Sequence, residues 1–445
     1  MPQLPAFVAR LHPLQRVALG VWVALLLGVA GRVIVAPARS HTVLPIYLTA
    51  AERWERGETL YGAYWPLDVY RNPPVVAAAF VPLRYVPEKV AGLGWRALSA
   101  AVFLVGLGAW VKRGLPRPLT PAETGAVFAL AALPCIPSLN NGQTNLILAG
   151  AMLHGATAAV GGRGGAAGTW LAAAAAVKVY PLAVGMLVAA ARPLKVGPWL
   201  VAAFVAIAAV PFLLRDPTYV VTEYENFCAS VSADDRTFAD LGRAPQDLFL
   251  FLRVWVGPPP TAAYAALKFG AAAAMAGLVV LAARRTGRAA VAVPLAFNLG
   301  CVWITVFGPA TEVHTYTMLA PTAALAVVVG ITDRRGWGRA VLAVIGYGLI
   351  VFPIVRDMLP NGKPVHALAL PALGGLFVLA AVVWQGAHDA RTRPARGSGS
   401  GAAKVVVYRR VRGAPARAAA GTVEPTGGDG GWRTDTDSSA PARAA

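Results

Sequence analysis

Residues 17–36 read VALGVWVALLLGVAGRVIVA, a run in which Arg32 is the only charged side chain. At the rise of an α-helix, about 1.5 Å per residue, a run of this length crosses the roughly 30 Å of hydrocarbon in a bilayer. It lacks the alternation of apolar and polar residues that marks a barrel strand. A cleaved signal peptide is the competing interpretation. The length of the run favours a retained first span, with the N-terminus in the cytoplasm.

The composition of the whole chain shows the same bias. Hydrophobic residue types make up 57% of the 445 residues and charged types 14%, whereas soluble domains carry about 25% charged residues. We therefore predict an all-α, polytopic transmembrane bundle of about 12 spans, within a range of roughly 10–13. The candidate runs lie near residues 16–36, 73–86, 91–111, 122–138, 144–160, 169–190, 197–214, 261–282, 289–307, 316–331, 338–356 and 366–387. The second run is short and starts with two prolines, so a re-entrant or strongly tilted segment is the alternative.

Charge in the connecting loops predicts the orientation of the bundle. Short basic loops at 284–288 and 333–339 are expected in the cytoplasm. Two long connections separate the spans, at residues 37–72 and 215–258. Alternation from a cytoplasmic N-terminus places both long loops on the outer side of the cell membrane and the C-terminus inside. The same alternation turns Arg117 outward, a conflict that disappears if the 73–86 run does not cross.

Two domains follow from the change in composition near residue 389. Residues 1–388 form the predicted membrane domain, and residues 389–445 are a Gly-, Ala-, Ser- and Arg-rich tail expected to be disordered and cytoplasmic. The tail is either solvated or in contact with anionic lipid. The net charge of +19 lies mostly in loops and tail, so the bilayer, and not nucleic acid, is the expected partner.

The first outer loop contains a predicted helix. Apolar residues at Tyr47, Ala50, Ala51 and Trp54 recur at helical spacing, with charged residues mostly on another face. This pattern is typical of an amphipathic helix that lies in the membrane interface. Gly57 is its expected end. A solvated helix with salt bridges is the alternative.

Two polar clusters interrupt the apolar runs, where polar groups are costly and mark functional candidates. The first holds Asn141, Gln143 and Asn145, whose carboxamides suit the hydroxyl groups of a sugar or an acceptor. A helix start capped by Asn, with amides that bond neighbouring helices, is an equal alternative. The second is Lys178-Val-Tyr180-Pro, in which the ammonium suits a lipid phosphate. A snorkelling lysine is the alternative, although Lys178 lies deep in its run.

Charged residues on the predicted outer side supply the remaining candidates. Asp68 and Arg71 close the first outer loop, and Arg236 lies in the second. Glu312 and His314, two residues apart at a later rim, suit acid–base chemistry at a membrane surface. An exposed loop without chemistry is the alternative.

Signatures of soluble enzymes are missing from the sequence. It contains no Walker loop, no dinucleotide fingerprint between a strand and a helix, and no nucleophile elbow. Its three cysteines form no disulfide framework and no metal-binding spacing. The acid pair Asp435-Thr-Asp437 resembles a metal-holding spacing but lies in the predicted tail and is discounted. No cofactor is predicted and no metal ligand is assigned, and a need for a divalent metal is left open.

The polar clusters, in this order, resemble glycosyltransferase family 87, whose members are polyprenyl-phosphate-mannose-dependent mannosyltransferases with the GT-C membrane fold. The resemblance covers roughly residues 15–385 and is carried by Tyr47 to Tyr61, Tyr70-Arg71-Asn72-Pro73-Pro74, Asn141 to Asn145 and Lys178 to Pro181. It implies a polyprenyl-phosphate sugar that approaches from the bilayer and an acceptor hydroxyl from the outer side. It also implies inverting transfer, with a cation near the leaving phosphate.

One position departs from the family pattern. The family usually has its catalytic aspartate four residues before the tyrosine that opens the first outer helix, and Val43 holds that position here. Asp68, Glu52 and Glu312 are the candidate replacements, with His314 as a further acid–base group. By the same resemblance, the donor phosphate is assigned to Arg71, Lys178, Tyr180 and Arg236, and the sugar or acceptor to Asn141, Gln143, Asn145 and Tyr47.

The leading hypothesis is an integral membrane hexosyltransferase of the cell envelope. It would move a hexose, with mannose favoured, from a polyprenyl-phosphate donor to a glycolipid or glycan at the outer face. A lipid or solute transporter is one alternative, which explains the intramembrane amides and Lys178 but not the long outer loops. A catalytically inactive relative that binds a polyprenyl lipid is the other, and Val43 favours it.

Overall fold

Helices are the regular structure of this protein, and no strand occurs among the residues that the structure describes. The computed structural model describes residues 8, 10–37, 39–40, 42–62, 67–242, 244–308, 311–333, 336–359 and 365–392. The predicted disordered tail lies outside these residues from 393 onward. The all-helical class expected from the sequence is confirmed.

Sixteen α-helices are described, and we number them in chain order. They are α1 (Pro13–Val35), α2 (Leu44–Arg56), α3 (Pro74–Arg84), α4 (Glu88–Arg113), α5 (Pro121–Asn141), α6 (Asn145–Val160), α7 (Gly164–Val177), α8 (Leu182–Ala191), α9 (Pro193–Ala209), α10 (Pro217–Ala233), α11 (Leu248–Trp255), α12 (Thr261–Thr286), α13 (Ala289–Val302), α14 (Ala320–Thr332), α15 (Trp337–Met358) and α16 (Leu370–Thr392). A π turn, Trp303–Phe307, extends α13, and 3₁₀ turns lie at Val210–Leu213, Val313–Met318 and His366–Leu368.

Eight helical segments of the described chain are long and apolar enough to cross a bilayer. They are α1, α4, α5, α9 with its 3₁₀ extension to Leu213, α12, α13 with its π extension, α15 and α16. Five more apolar helices are shorter: α3, α6, α7, α8 and α14. The membrane character is confirmed, whereas the expected number of spans is not.

Helix α3 is too short for the span expected over residues 73–86. Its 11 residues cover about 16 Å, half of the hydrocarbon thickness. On the far side of α4, Arg117 lies 2.5 Å from Glu123 and 3.2 Å from Thr332, next to the basic loop at 333–339. Arg117 and that loop therefore share one face of the bundle. This agrees with the alternative in which the 73–86 run does not cross.

The single span expected over residues 169–190 is two helices. Helix α7 ends at Val177, and Lys178 has extended backbone angles, with φ −143 and ψ 140. Pro181 follows, and a proline disfavours helical angles in the residue before it and removes a backbone donor. The sequence interpretation placed Lys178 deep within one helix. The structure corrects this and puts it at the break between α7 and α8.

Helix α2 forms as predicted and ends at Gly57, whose left-handed φ of 70 closes the last turn. Its predicted apolar face is buried against protein, because the ring of Tyr47 packs on Phe80 of α3 at 4.8 Å and that of Trp54 on Tyr219 of α10 at 5.5 Å. The helix therefore anchors the first long loop, residues 37–72, on α3 and α10.

Helix α5 links one face of the bundle to the other and contains a proline at position 134. Because proline lacks an N–H group, the carbonyl of Leu130 loses its helical donor. The hydroxyl of Tyr347 on α15 donates to that carbonyl at 2.7 Å. The carbonyl freed by the proline is thus satisfied by the neighbouring helix, which ties α5 to α15 at this point.

Candidate active site

The turn between α5 and α6 supplies the amide cluster. Gly142 adopts a left-handed φ of 69 and ends α5, after which α6 begins at Asn145. The alternative of a helix start capped by Asn is wrong, since Thr144 is the N-cap and makes no side-chain capping bond. The amide oxygen of Asn145 instead accepts hydrogen bonds from Tyr180 at 2.9 Å and from Lys178 at 3.2 Å.

Lys178 reaches this turn from the break between α7 and α8. Its ammonium lies 3.5 Å from Oε1 of Gln143 and 5.6 Å from the centre of the Tyr180 ring. Its hydrogen-bond acceptors in the described structure are amide oxygens, and no described carboxylate lies within ion-pair distance. The ammonium does lie within electrostatic range of Glu312, Arg236 and Arg71. It is a partly buried cation whose contacts are neutral.

Glu312 stands at the centre of the charged groups. Its Oε1 accepts from Arg236 at 3.0 Å, and its Oε2 lies 3.7 Å from Nδ1 of His314. The other ring nitrogen of His314 lies 3.3 Å from the amide nitrogen of Asn141. The imidazole of His314 therefore lies between the carboxylate of Glu312 and the amide of Asn141. With the imidazole proton on Nδ1, Nε2 accepts the hydrogen bond that the Asn141 amide donates.

The electrostatic setting of Glu312 fixes its charge. Burial alone raises the pKa of a carboxyl group, but the charges of His314, Arg236 and Lys178 hold the pKa of Glu312 well below its usual range. Glu312 is therefore an anion at neutral pH and a weak proton acceptor. It is better suited to orient and stabilise a protonated His314 than to take a proton itself.

A second ion-pair chain extends from this centre to the first outer loop. Arg236 lies 3.4 Å from Asp234, Arg71 donates to Asp234 at 2.9 Å, and Arg71 also donates to Asp68 at 2.8 Å. Burial raises the pKa of a carboxyl group, but Arg71 holds the pKa of Asp68 below its ordinary value. This series of ion pairs joins both long loops to the site.

The remaining predicted site residues divide into two groups. Tyr47 and Tyr180 lie within electrostatic range of Glu312, beside the amide cluster. Glu52 lies elsewhere, on the charged face of α2, where it pairs with Arg56 at 2.5 Å and approaches Arg84 at 3.7 Å. The structure thus brings eleven of the twelve predicted residues into one connected region and leaves Glu52 out of it.

Two arginines that sequence reasoning did not assign, Arg96 and Arg32, hold the amide cluster in place. Arg96, only 5% exposed, donates to the carbonyls of Leu139 and Asn140 at 2.9 and 3.0 Å. Arg32 donates to the same Asn140 carbonyl at 2.6 Å. Guanidinium groups at the C-terminus of α5 satisfy carbonyls that lack helical donors. Their signal in the sequence was a charge inside an apolar run.

Among the described residues, no group of three or more His, Cys, Asp or Glu side chains is placed to hold a metal ion. The carboxylates of the region are instead paired with arginine or histidine.

The sequence profile of glycosyltransferase family 87 matches residues 70–302. The matched region contains Arg71, the amide cluster, Lys178 and Arg236, whereas Glu312 and His314 follow it. No curated protein shows a significant match to this chain.

Two solved structures of ArnT from Cupriavidus metallidurans are similar to this chain. The structure bound to undecaprenyl phosphate is 16% identical, with 84% of this chain and 78% of that chain covered and a TM-score of 0.35. The apo structure is 18% identical, with the same coverage and a TM-score of 0.38.

Proposed function

This chain belongs to glycosyltransferase family 87, and we propose that it moves a hexose, with mannose favoured, from a polyprenyl-phosphate sugar to an acceptor hydroxyl at the outer face of the cell membrane. The family resemblance drawn from the sequence is confirmed by the profile match. The donor, the sugar and the acceptor, which we take to be a glycolipid or glycan of the cell envelope, are parts of the proposal. So are the cytoplasmic positions of both termini.

Lys178 is the single observation that carries the proposal. A cation near the membrane needs an anionic or carbonyl partner, and among the described residues this one has hydrogen bonds to the amide oxygens of Gln143 and Asn145 and no ion pair. A lipid phosphate would supply the missing negative charge. Arg71 and Arg236 are already paired with carboxylates, so we assign them to the rim that surrounds the phosphate.

His314 is the proposed general base. Its Nε2 can take the proton of the acceptor hydroxyl when that hydroxyl replaces the Asn141 amide as its hydrogen-bond donor, while Glu312 on the Nδ1 side orients the ring and stabilises the imidazolium that forms. This pair replaces the aspartate that Val43 has displaced. Asp68 is less suited, because Arg71 engages it at the rim.

These side chains account for every bond and proton that changes in the transfer. The acceptor oxygen forms a bond to the anomeric carbon, and the bond from that carbon to the phosphate oxygen breaks, with inversion. The hydroxyl proton passes to Nε2 of His314, and the bonding electron pair leaves with the phosphate. Lys178 stabilises the added negative charge on that phosphate. Asn141, Gln143, Asn145 and Tyr47 are assigned to the hydroxyl groups of the sugar and acceptor.

Transfer by the purified protein in lipid nanodiscs tests the proposal. Radiolabelled polyprenyl-phosphate mannose is the first donor, with membrane glycolipids as acceptors. We expect a labelled product whose formation is lost in Lys178→Met and His314→Gln and kept in the control Glu52→Gln, since Glu52 lies outside the site. Failure with mannose, glucose and galactose donors would overturn the enzyme assignment.

Two further outcomes separate the alternatives. Donor binding without product, unchanged by His314→Gln, would favour an inactive lipid-binding relative. Movement of labelled donor across the membrane of proteoliposomes without a covalent product would favour a transporter.

A further inference from the structure

A cavity of about 490 Å³ opens at the end of the bundle opposite the candidate active site. Its wall comes from the first turns of α5 and α13, the last turns of α14 and α16, and the start of α15. The 21 residues of α5 separate the two sites by about 30 Å. The cavity is therefore a separate site, on the face expected to be cytoplasmic.

The interior of the cavity is apolar apart from a hydrogen-bonded pair, Asn298 and Thr322. Leu295, Leu325 and Val382 are among the apolar side chains of the wall. Asn298 also lines it and keeps exposed surface although its neighbours on α13 are buried. Its Oδ1 accepts from Thr322 at 2.9 Å. The Nδ2 group is left as a hydrogen-bond donor toward the cavity.

Charged and titratable groups line the mouth of the cavity. Among the described residues they are the carboxylates of Glu123, Asp333 and Asp389, the guanidinium groups of Arg117 and Arg339, and the imidazole of His388. Arg117 pairs with Glu123 at 2.5 Å and Arg339 with Asp333 at 2.6 Å. Within the described chain Asp389 has no ion-pair partner, although it lies within electrostatic range of Arg117.

The carboxylate of Asp389 is the acceptor that the mouth offers to a ligand. The amide nitrogen of Gln385 donates to Oδ2 of Asp389 at 2.9 Å, which uses one oxygen of the carboxylate and holds it in place. The amide oxygen of Gln385 is shut off from solvent and therefore from the cavity. An N–H group or a positive charge at the mouth would bind the remaining acceptor sites of Asp389, which lines the cavity.

We propose that this cavity binds an amphiphile with a protonated amine, the ammonium at Asp389 and the apolar body along the wall toward Asn298. The volume lies in the range of pockets for small organic ligands, about 300–1,000 Å³. The carboxylate of Asp389 disfavours an anionic head group at this point. The same chemistry is offered by a free alkylamine and by the ethanolamine head group of a membrane lipid.

Calorimetric titration of the full chain in phosphatidylcholine nanodiscs with decylammonium tests this. We expect saturable binding beyond that of empty nanodiscs. Asp389→Asn should weaken it about tenfold, or about 1.4 kcal/mol. Ala326→Phe, which fills the cavity, should abolish it. Asp357→Asn, at a carboxylate paired with His366 outside the cavity, is the matched control and should bind as the wild type does.

The source of the amine is tested in a second arm. If the decylammonium signal disappears in nanodiscs that contain phosphatidylethanolamine, the lipid competes for the cavity and a bilayer lipid is the occupant. If the signal is unchanged in these nanodiscs, the occupant is a free amine. Equal affinity of wild type and Asp389→Asn, or tighter binding of decyl sulfate than of decylammonium, would overturn the proposal. Thermal unfolding shows whether each variant is folded. If either Asp389→Asn or Ala326→Phe fails to fold, the binding result of the other variant tests the proposal.

Discussion

The guanidinium of Arg236 donates a 3.0 Å hydrogen bond to Oε1 of Glu312, although 76 residues separate them in the chain. The other oxygen of the same carboxylate faces His314. One side chain thus joins the second outer loop to the proposed base. An acceptor that enters beside this loop meets a histidine whose orientation depends on the loop being in place.

Glu312→Gln should lower kcat about 100-fold or more, because an amide still accepts from Arg236 but no longer stabilises a positive charge on His314. The KM for the donor should change little, since Lys178 keeps its place. Steady-state transfer at varied donor concentration measures both constants. Glu52→Gln is the matched control. A kcat within about twofold of wild type would remove Glu312 from the mechanism.

Arg96→Gln should destabilise the protein by about 3 kcal/mol, because it removes hydrogen bonds from a guanidinium to the carbonyls of Leu139, Asn140 and Gly92. Arg96→Lys should restore part of the stability and part of the activity, since an ammonium reaches fewer acceptors than a guanidinium. Thermal unfolding and KM for the donor are the measurements. Lys112→Gln, at an exposed position on the same helix, should behave as wild type. Equal stability of Arg96→Gln and wild type would contradict the positioning role.

Gly142→Ala should cost about 1–2 kcal/mol for a left-handed backbone angle and should also raise KM, because the new Cβ would lie 3.1 Å from Arg96. Gly162→Ala separates the two effects. Gly162 has the same kind of angle, with a φ of 74, and open space around its Cβ position. We expect similar losses of stability from the backbone and a change in KM only at Gly142. A rise in KM for both variants would show that the effect is not local to the site.

Asp247 should make stability fall as pH rises. It caps α11 through a bond from Leu250 at 3.1 Å, and burial raises its pKa to about 6 despite backbone donors that lower it. The folded protein therefore holds this proton more tightly than the unfolded chain does. Its contribution, about 3 kcal/mol, is complete below the unfolded pKa of about 4 and is lost as pH rises through 6.

Asp247→Asn keeps the cap and removes the titration. We expect its thermal unfolding temperature to vary less between about pH 4 and 7 than that of the wild type. Asp216→Asn is the control, since Asp216 also caps a helix, α10, but at an exposed position. Parallel pH profiles for wild type and Asp247→Asn would refute the assignment.

Local pattern was enough to predict some of these features. The helix that ends at Gly57 followed from apolar spacing and a glycine cap, and both depend on residues within a few positions of one another. The membrane character followed from run length. The break at Lys178 was missed, because apolar length alone does not register that a proline three residues later interrupts the hydrogen-bond ladder.

The assembly of the candidate site could not be predicted from spacing. Asn141 meets His314 across 173 residues and Arg71 meets Asp234 across 163, and such contacts depend on how the helices pack. Sequence reasoning could name residues that are costly in a membrane. It could not decide among Asp68, Glu52 and Glu312, because the partners that set their charge lie far away in the chain.

The interruption between α7 and α8 gives the site a polarity that belongs to the backbone. A continuous span would present only packed peptide groups at this depth. The break presents the carbonyl end of α7, which favours the ammonium of Lys178, and the amide end of α8, which favours an anion. The electrostatic field of these two helix ends comes from backbone dipoles and not from a titratable group, so changes in pH leave it unaltered. Scanning side chains one at a time would not detect it.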